Sequence, residues 1–417
     1  MTLQFLQSPP FGFGSGGIGD AAGNPQFANP WCDIKTGKCI GNKFPASTSP
    51  PFGSSVDFTQ YEPLGISVLD PTFKSPYAQN WNLTLERQLR GDTILSVAYV
   101  GASAHRLVAS YELNLGTNPT GCAANPTCVT NRGNQNLFFP NNFRYPGDIF
   151  GGIGMISSIG NSNYNALQLR VEKHFSKGLQ FLAAYTWAHA IDNGSSFENT
   201  GFGTAQGFNV YNQAALRGDS AFDARHRFVF SYTYELPFRH MAGFSKLPSR
   251  LTEGWKITGI TAFQSGFPIN VYDGGLRGLI CTNWNYYACP DRPNSLGSAQ
   301  FADPRTSTFV NGVAGGTTSR DHYFFNPNTF AREAFGTYGN QGRNNFHGPG
   351  LNNFDFALFK DTKLTESTRI ELRFEFFNFF NHTQFNTPTA NINSTNFGRV
   401  TTARDPRFVQ LAAKVYF

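Results

Sequence analysis

Apolar and polar residues alternate with a period of two along several stretches of the chain. The clearest stretch interleaves Ile370, Leu372, Phe374 and Phe376 with Glu371, Arg373 and Glu375. On an extended backbone, successive side chains point to opposite faces, so this segment has one apolar and one charged face. The pattern recurs where Phe228, Phe230, Tyr232, Tyr234 and Leu236 alternate with Arg227, Ser231, Thr233 and Glu235. It recurs again in Leu167, Leu169 and Val171 against Gln168, Arg170 and Glu172. Segments at 77–89, 93–105, 179–190, 255–270, 352–360 and 406–417 also read as strands, which gives nine.

The connections alternate as well. Those at 90–92, 176–178, 237–254 and 361–367 are the shorter set, and those at 106–162, 191–225, 271–351 and 382–405 the longer. Tight turns at one rim and extended loops at the other are the layout of outer-membrane barrels, whereas structureless loops of this length argue against a compact soluble domain. Strands of ten or more residues match a tilted membrane crossing and exceed the roughly five or six of a sandwich strand. Trp81, Tyr185, Trp187, Trp255 and the Phe376 to Phe380 cluster fall near strand ends, where an interfacial aromatic girdle would place them. The expected fold is therefore all-β, an antiparallel transmembrane β-barrel. Residues 77–417 form the barrel segment, and residues 1–76 form a long extracellular loop.

Parity adds an expectation. Nine strands leave an open edge that lipid cannot satisfy, and single-chain bacterial barrels have even strand numbers. Thr2 to Gln7 could supply the end of a tenth strand, and the segment reads as the C-terminal part of a larger barrel. In this arrangement Phe230, Tyr232, Leu372, Phe374 and Leu411 face lipid, while Arg170, Glu172, Glu371, Arg373 and Glu375 face the lumen. In the last strand Val409, Leu411, Ala413, Val415 and Phe417 share one face. That strand ends on an aromatic residue that would serve as the terminal element of an assembly signal.

Composition sharpens the class. Charged residues are 14% of the 417, against roughly 25% in soluble domains, and Phe (43) far outnumbers Tyr (16). A cytosolic enzyme is disfavoured, and no apolar run reaches the length of a transmembrane helix. The net charge of +6 comes from basic residues scattered singly, which disfavours nucleic acid as a partner. The six cysteines pair by proximity as Cys32 with Cys39, Cys122 with Cys128 and Cys281 with Cys289. All lie in the exterior set of loops, so three local disulfides are expected, and zinc lacks both knuckle spacing and nearby histidines.

Catalytic motifs fail on context. Gly12-Phe-Gly-Ser-Gly-Gly17 has no strand before it or helix after it. The eight His never form H-x-x-x-H, no Ser lies in G-x-S-x-G, and Arg217-Gly-Asp219 reads as a turn. Glu172, Glu371 and Glu375 could mimic a glycosidase pair, but Arg170 and Arg373 lie beside them as a polar lumen requires. His226 is expected at the lumen or rim, and His382 as a loop cap. No enzyme activity, cofactor or metal is expected. The segment after Met1 lacks a basic region and a cleavage site, so an exported protein would be incomplete at this end.

Four blocks carry a family likeness. They are Ser75-Pro-Tyr-Ala-Gln-Asn-Trp-Asn-Leu-Thr-Leu-Glu-Arg87, Ala184-Tyr-Thr-Trp-Ala-His-Ala-Ile-Asp-Asn193, Asp223-Ala-Arg-His-Arg-Phe228 and Leu372-Arg-Phe-Glu-Phe-Phe-Asn-Phe-Phe-Asn-His-Thr-Gln-Phe385. From about residue 60 onward the chain resembles the barrel of Oar-like TonB-dependent receptors. The resemblance implies a 22-stranded, plugged barrel and active import powered by an inner-membrane energy-coupling complex. It also implies insertion by the barrel-assembly machinery, which would read the last strand. The family's signal peptide, N-terminal carboxypeptidase-regulatory-like domain, partner-contacting box and plug have no counterpart here. The expected function is import of a glycan, peptide or iron chelate by the full-length receptor. The alternatives are a surface adhesion or structural protein anchored by the barrel, and a secreted glycan-binding β-sandwich.

Overall fold

The computed structural model describes residues 64–112, 150–195, 212–241, 243, 246–274, 292–309, 322–334 and 337–417. Its strands of six or more residues are β1 (Leu64–Leu69), β2 (Tyr77–Leu89), β3 (Thr93–Glu112), β4 (Phe150–Ser176), β5 (Leu179–Asp192), β6 (His226–Glu235), β7 (Trp255–Gln264), β8 (Leu351–Lys363), β9 (Arg369–Phe377) and β10 (Phe408–Tyr416). From β2 to β10 each strand pairs antiparallel with the next, in one continuous sheet. Helix among the described residues is limited to single turns, none long and apolar enough to cross a membrane.

Local chemistry sets the hairpins. The β4–β5 turn is Lys177-Gly178, with φ of 52° and 79°. Two successive positive φ angles are the geometry of a two-residue turn whose twist matches the flanking strands. The three-residue β2–β3 turn, residues 90–92, also uses positive φ, 74° at Gly91 and 57° at Asp92. Gly259 lies beneath the Tyr232 ring across the β6–β7 pair, where a Cβ would come within 2.7 Å of that ring.

The register segregates chemistry by face. One row of cross-strand partners runs Phe181, Tyr232, Gly259, Phe356, Phe376, Val409. The adjacent row, one residue away in every strand, runs Gln180, Thr233, Thr258, Ala357, Glu375, Gln410. Among the described residues, neither face is covered by a second layer of strands or helices. Leu83, Leu85 and Leu411 on the apolar side are 62%, 65% and 69% exposed.

The hydrophobic core sits elsewhere. Ile269, Val271, Phe325, Phe330, Phe346, Ile392 and Phe397 form one buried cluster, contributed by the long β7–β8 and β9–β10 connections. Phe325 meets Phe397 and Phe346 edge-on at 5.2 and 5.4 Å, the favoured aromatic arrangement. These loops therefore pack on one another, so the sheet does not have to supply their apolar contacts.

Three features differ from the sequence expectation. β4 begins at Phe150 and β3 continues to Glu112, so both ends of the expected 106–162 loop are strand. The early half of β4 is rich in Gly and Ser, and it is ordered by β3 on one edge and parallel β1 on the other. β1 lies within the stretch read as loop, and β7 ends at Gln264, short of residue 270. The sheet is not closed. β2 and β10 each carry one edge without a partner among the described residues.

Candidate functional site

Arg170, Glu172, Glu371, Arg373 and Glu375 share one sheet face, opposite that of Phe230, Tyr232, Leu372, Phe374 and Leu411. Arg170 pairs with Glu172 at 2.6 Å, and Arg373 Nε pairs with Glu371. A cavity of about 770 Å³ opens on this polar face. Its wall includes Glu172, Gln180, Ser231, Thr258, Asp355 and Glu375. It offers carboxylates, amides and hydroxyls on the strands, interspersed with the apolar side chains of Leu182, Ile260, Phe359 and Phe377.

At the long-loop rim the chain builds a charged clasp. β5 ends in His189 and Asp192, the following loop brings Asp219, Asp223 and Arg225, and the approach to β8 brings Arg343 and His347. The Arg225 guanidinium donates from Nε to Asp223 at 2.6 Å and from Nη2 to Asp219 at 2.8 Å. Asp223 also accepts from the Ala190 backbone N–H at 2.7 Å. His189 Nε2 lies 2.9 Å from Asp219. His347 Nε2 stands 3.6 and 3.5 Å from Asp219 and Asp223. Arg343, almost fully buried, pairs with the Asp192 carboxylate and donates to the Asp192 and Leu216 carbonyls at 2.8 Å each.

Electrostatics follow from burial and pairing. Burial pushes the Asp219 carboxyl up, but hydrogen bonds from His189 and Arg225, with the Arg225 charge, outweigh it and hold it below its ordinary value. Burial pulls Arg343 down against the opposing pull of Asp192 and Asp219. Arg292, buried nearby, is pulled by burial and then by the Arg343 charge to about 10.

Donor atoms of His189, Asp219 and Asp223 all lie within 4.8 Å of one another, a spacing that could hold a metal ion. Arg225 already bonds both carboxylates, so the group works here as an ion-paired joint between β5 and its loop. Sequence reading missed it because its members come from three separated segments with no metal-ligand spacing. The only advance signal was that two of the family-like blocks, 184–193 and 223–228, supply His189, Asp192, Asp223 and Arg225.

The Asn378–Gln384 stretch caps the β8–β9 hairpin at the same rim. Asn378 takes φ of 50°, accepts from the His382 N–H at 2.9 Å and donates to the His382 carbonyl at 3.0 Å. Gln384 pairs with both backbone groups of Asn352 and so replaces a strand neighbour. His382 thus belongs to a loop cap. His226 pairs with Trp187, on the apolar face at the rim, where its Nδ1 lies 2.8 Å from the Tyr185 hydroxyl. Of the two expected places, lumen or rim, the register gives the rim. The six cysteines lie outside the described residues.

A single antiparallel sheet with one apolar and one polar face, no core between layers and long loops at one rim is the wall of a membrane β-barrel. Residues 2–410 match the profile of the outer membrane beta barrel domain family, and the chain belongs to that family. It is a protein of the outer membrane. No curated protein is recognisably similar in sequence. Among solved structures it is similar to the outer membrane transporter YddB from Escherichia coli, at 11% identity and a TM-score of 0.40, covering 84% of this chain and 34% of the transporter. It is also similar to the FrpB iron transporter from Neisseria meningitidis, at 10% identity and TM-score 0.37, covering 84% of this chain and 33% of that one. The pyoverdine outer membrane receptor FpvA from Pseudomonas aeruginosa gives 10% identity and TM-score 0.36, covering 82% and 30%. The chain spans about a third of the length of these proteins.

Proposed function

We propose that the sheet is the wall of a solute-importing outer-membrane barrel of the TonB-dependent type, Oar-like in its sequence blocks. The carrying observation is the register, which keeps Gln180, Thr233, Thr258, Glu375 and Gln410 on one face and Phe181, Tyr232, Phe356, Phe376 and Val409 on the other. A polar face is useful in a membrane only if it lines water. Arg170, Glu172, Glu371, Arg373 and Glu375 line that passage, and the Phe374 side faces lipid. Both open edges need further strands for closure, because an unpaired edge in hydrocarbon leaves each N–H and C=O unsatisfied.

In the complete protein the solute is a glycan, a peptide or an iron chelate, and import draws on an inner-membrane energy-coupling complex. Insertion depends on the barrel-assembly machinery. The test is uptake of each solute class by cells with and without the gene, with the proton-motive force intact and then collapsed. Energy-dependent uptake of one class, lost with the gene, supports the reading. Assembled barrel with no uptake difference in any class would overturn it in favour of a surface anchor.

A further inference from the structure

The rim opposite the long loops holds one anomaly. Three of its turns are short, at 90–92, 177–178 and 364–368, but the β6–β7 connection runs through residues 236–254. It is fastened to the sheet rather than trailing from it. Trp255 Nε1 donates to the Leu251 carbonyl at 2.7 Å, and Lys360 Nζ donates to the Glu253 carbonyl. Phe238 meets the Trp255 ring edge-on at 6.1 Å, and Arg250 reaches the Leu364 carbonyl of the neighbouring turn at 3.3 Å. Trp255 and Lys360 are register partners on the apolar face. The turn of helix at Ser249–Thr252 therefore sits over the rim of the face assigned to lipid.

What this segment shows to the outside is amphipathic. Thr252 is buried, while Leu251, Leu247 and Met241 are 61%, 47% and 47% exposed. Arg239, Lys246 and Arg250 stand exposed among them. Arg239 engages Glu253, and Glu235, Asp361 and Glu371 line the same pocket as that pair, while Glu366 lies on the neighbouring turn beyond Lys246 and Arg250. Exposed apolar side chains at a membrane rim, interleaved with cations and backed by a Trp, fit the boundary between headgroups and acyl chains.

We propose that the described residues 238–241 and 246–251 form an anchor for anionic phospholipid headgroups on the short-turn side of the membrane. Lys246 and Arg250 would meet the phosphates, and Leu247 and Leu251 would enter the acyl boundary. The inference rests on the apolar face being the lipid face. Each cation near an anionic surface should contribute about fivefold in lipid preference.

The probe is brominated phosphatidylglycerol, a quencher of Trp emission, compared with brominated phosphatidylcholine at equal proportion in vesicles holding the full chain. The Trp255 signal is obtained by difference against Trp255→Phe, and every comparison is made on protein with heat-modifiable mobility. The expected result is stronger quenching of Trp255 by the anionic lipid, with the preference falling about fivefold per charge in Lys246→Gln and Arg250→Gln. Equal quenching by the two lipids, or an unchanged preference in the double variant, would overturn the proposal. Trp81 and Trp187, on the same apolar face, separate the two claims. Their quenching with Trp255 indifferent to charge would leave the barrel reading intact, whereas loss of quenching at all three would sink the barrel reading as well.

Discussion

Arg343 is the residue on which the rim clasp turns. Its guanidinium is buried against Asp192 and two backbone carbonyls. Removing one partner of a buried ion pair leaves an uncompensated charge and typically costs about 3 to 5 kcal/mol. Arg343→Met should therefore loosen the long loops, seen as faster proteolysis of the 193–225 connection, and adding Asp192→Leu should recover part of the loss. Equal protease sensitivity in all three proteins would show that the pair holds nothing. The carboxyl of Asp219 gives the clasp a pH dependence. Because its folded value is depressed, the stabilisation is complete above the ordinary carboxylate value of 3.8 and is lost as pH falls through the lower folded value. Loop proteolysis by an acid-active protease should rise only below that range, and Arg225→Gln should move the onset to higher pH.

At the scale of elements, strands were the legible part and their ends were not. Ile370 to Phe376 announces β9 because each residue alternates cleanly, and β2 at 77–89 agrees with its expected bounds. Phe150 to Asn163 gave no such signal, because Gly and Ser carry little β propensity and that half of β4 is ordered by its neighbours. The clasp was illegible for the same kind of reason, since tertiary pairing across separated segments leaves no periodicity. The hairpins depend on backbone angles that few residues tolerate. Gly178→Val should cost roughly 1 to 3 kcal/mol through its φ of 79° and slow insertion. The check is the fraction of heat-modifiable protein, and Lys177→Gly serves as a control that should insert normally.

For the whole molecule, the account stands on which face meets lipid. Near mid-membrane, Phe374→Arg should cost about 2 to 4 kcal/mol and deplete the inserted barrel. Glu375→Gln, one residue away on the other face, should leave insertion close to normal. The most direct measurement places a spin label singly at each position from 370 to 376, in a background with the six cysteines replaced by serine. Its collisions with oxygen, which concentrates in acyl chains, are compared with those of a water-soluble nickel chelate. The account predicts a period of two, with 370, 372, 374 and 376 open to oxygen and 371, 373 and 375 open to the chelate. Uniform accessibility, or the reverse phase, would contradict it.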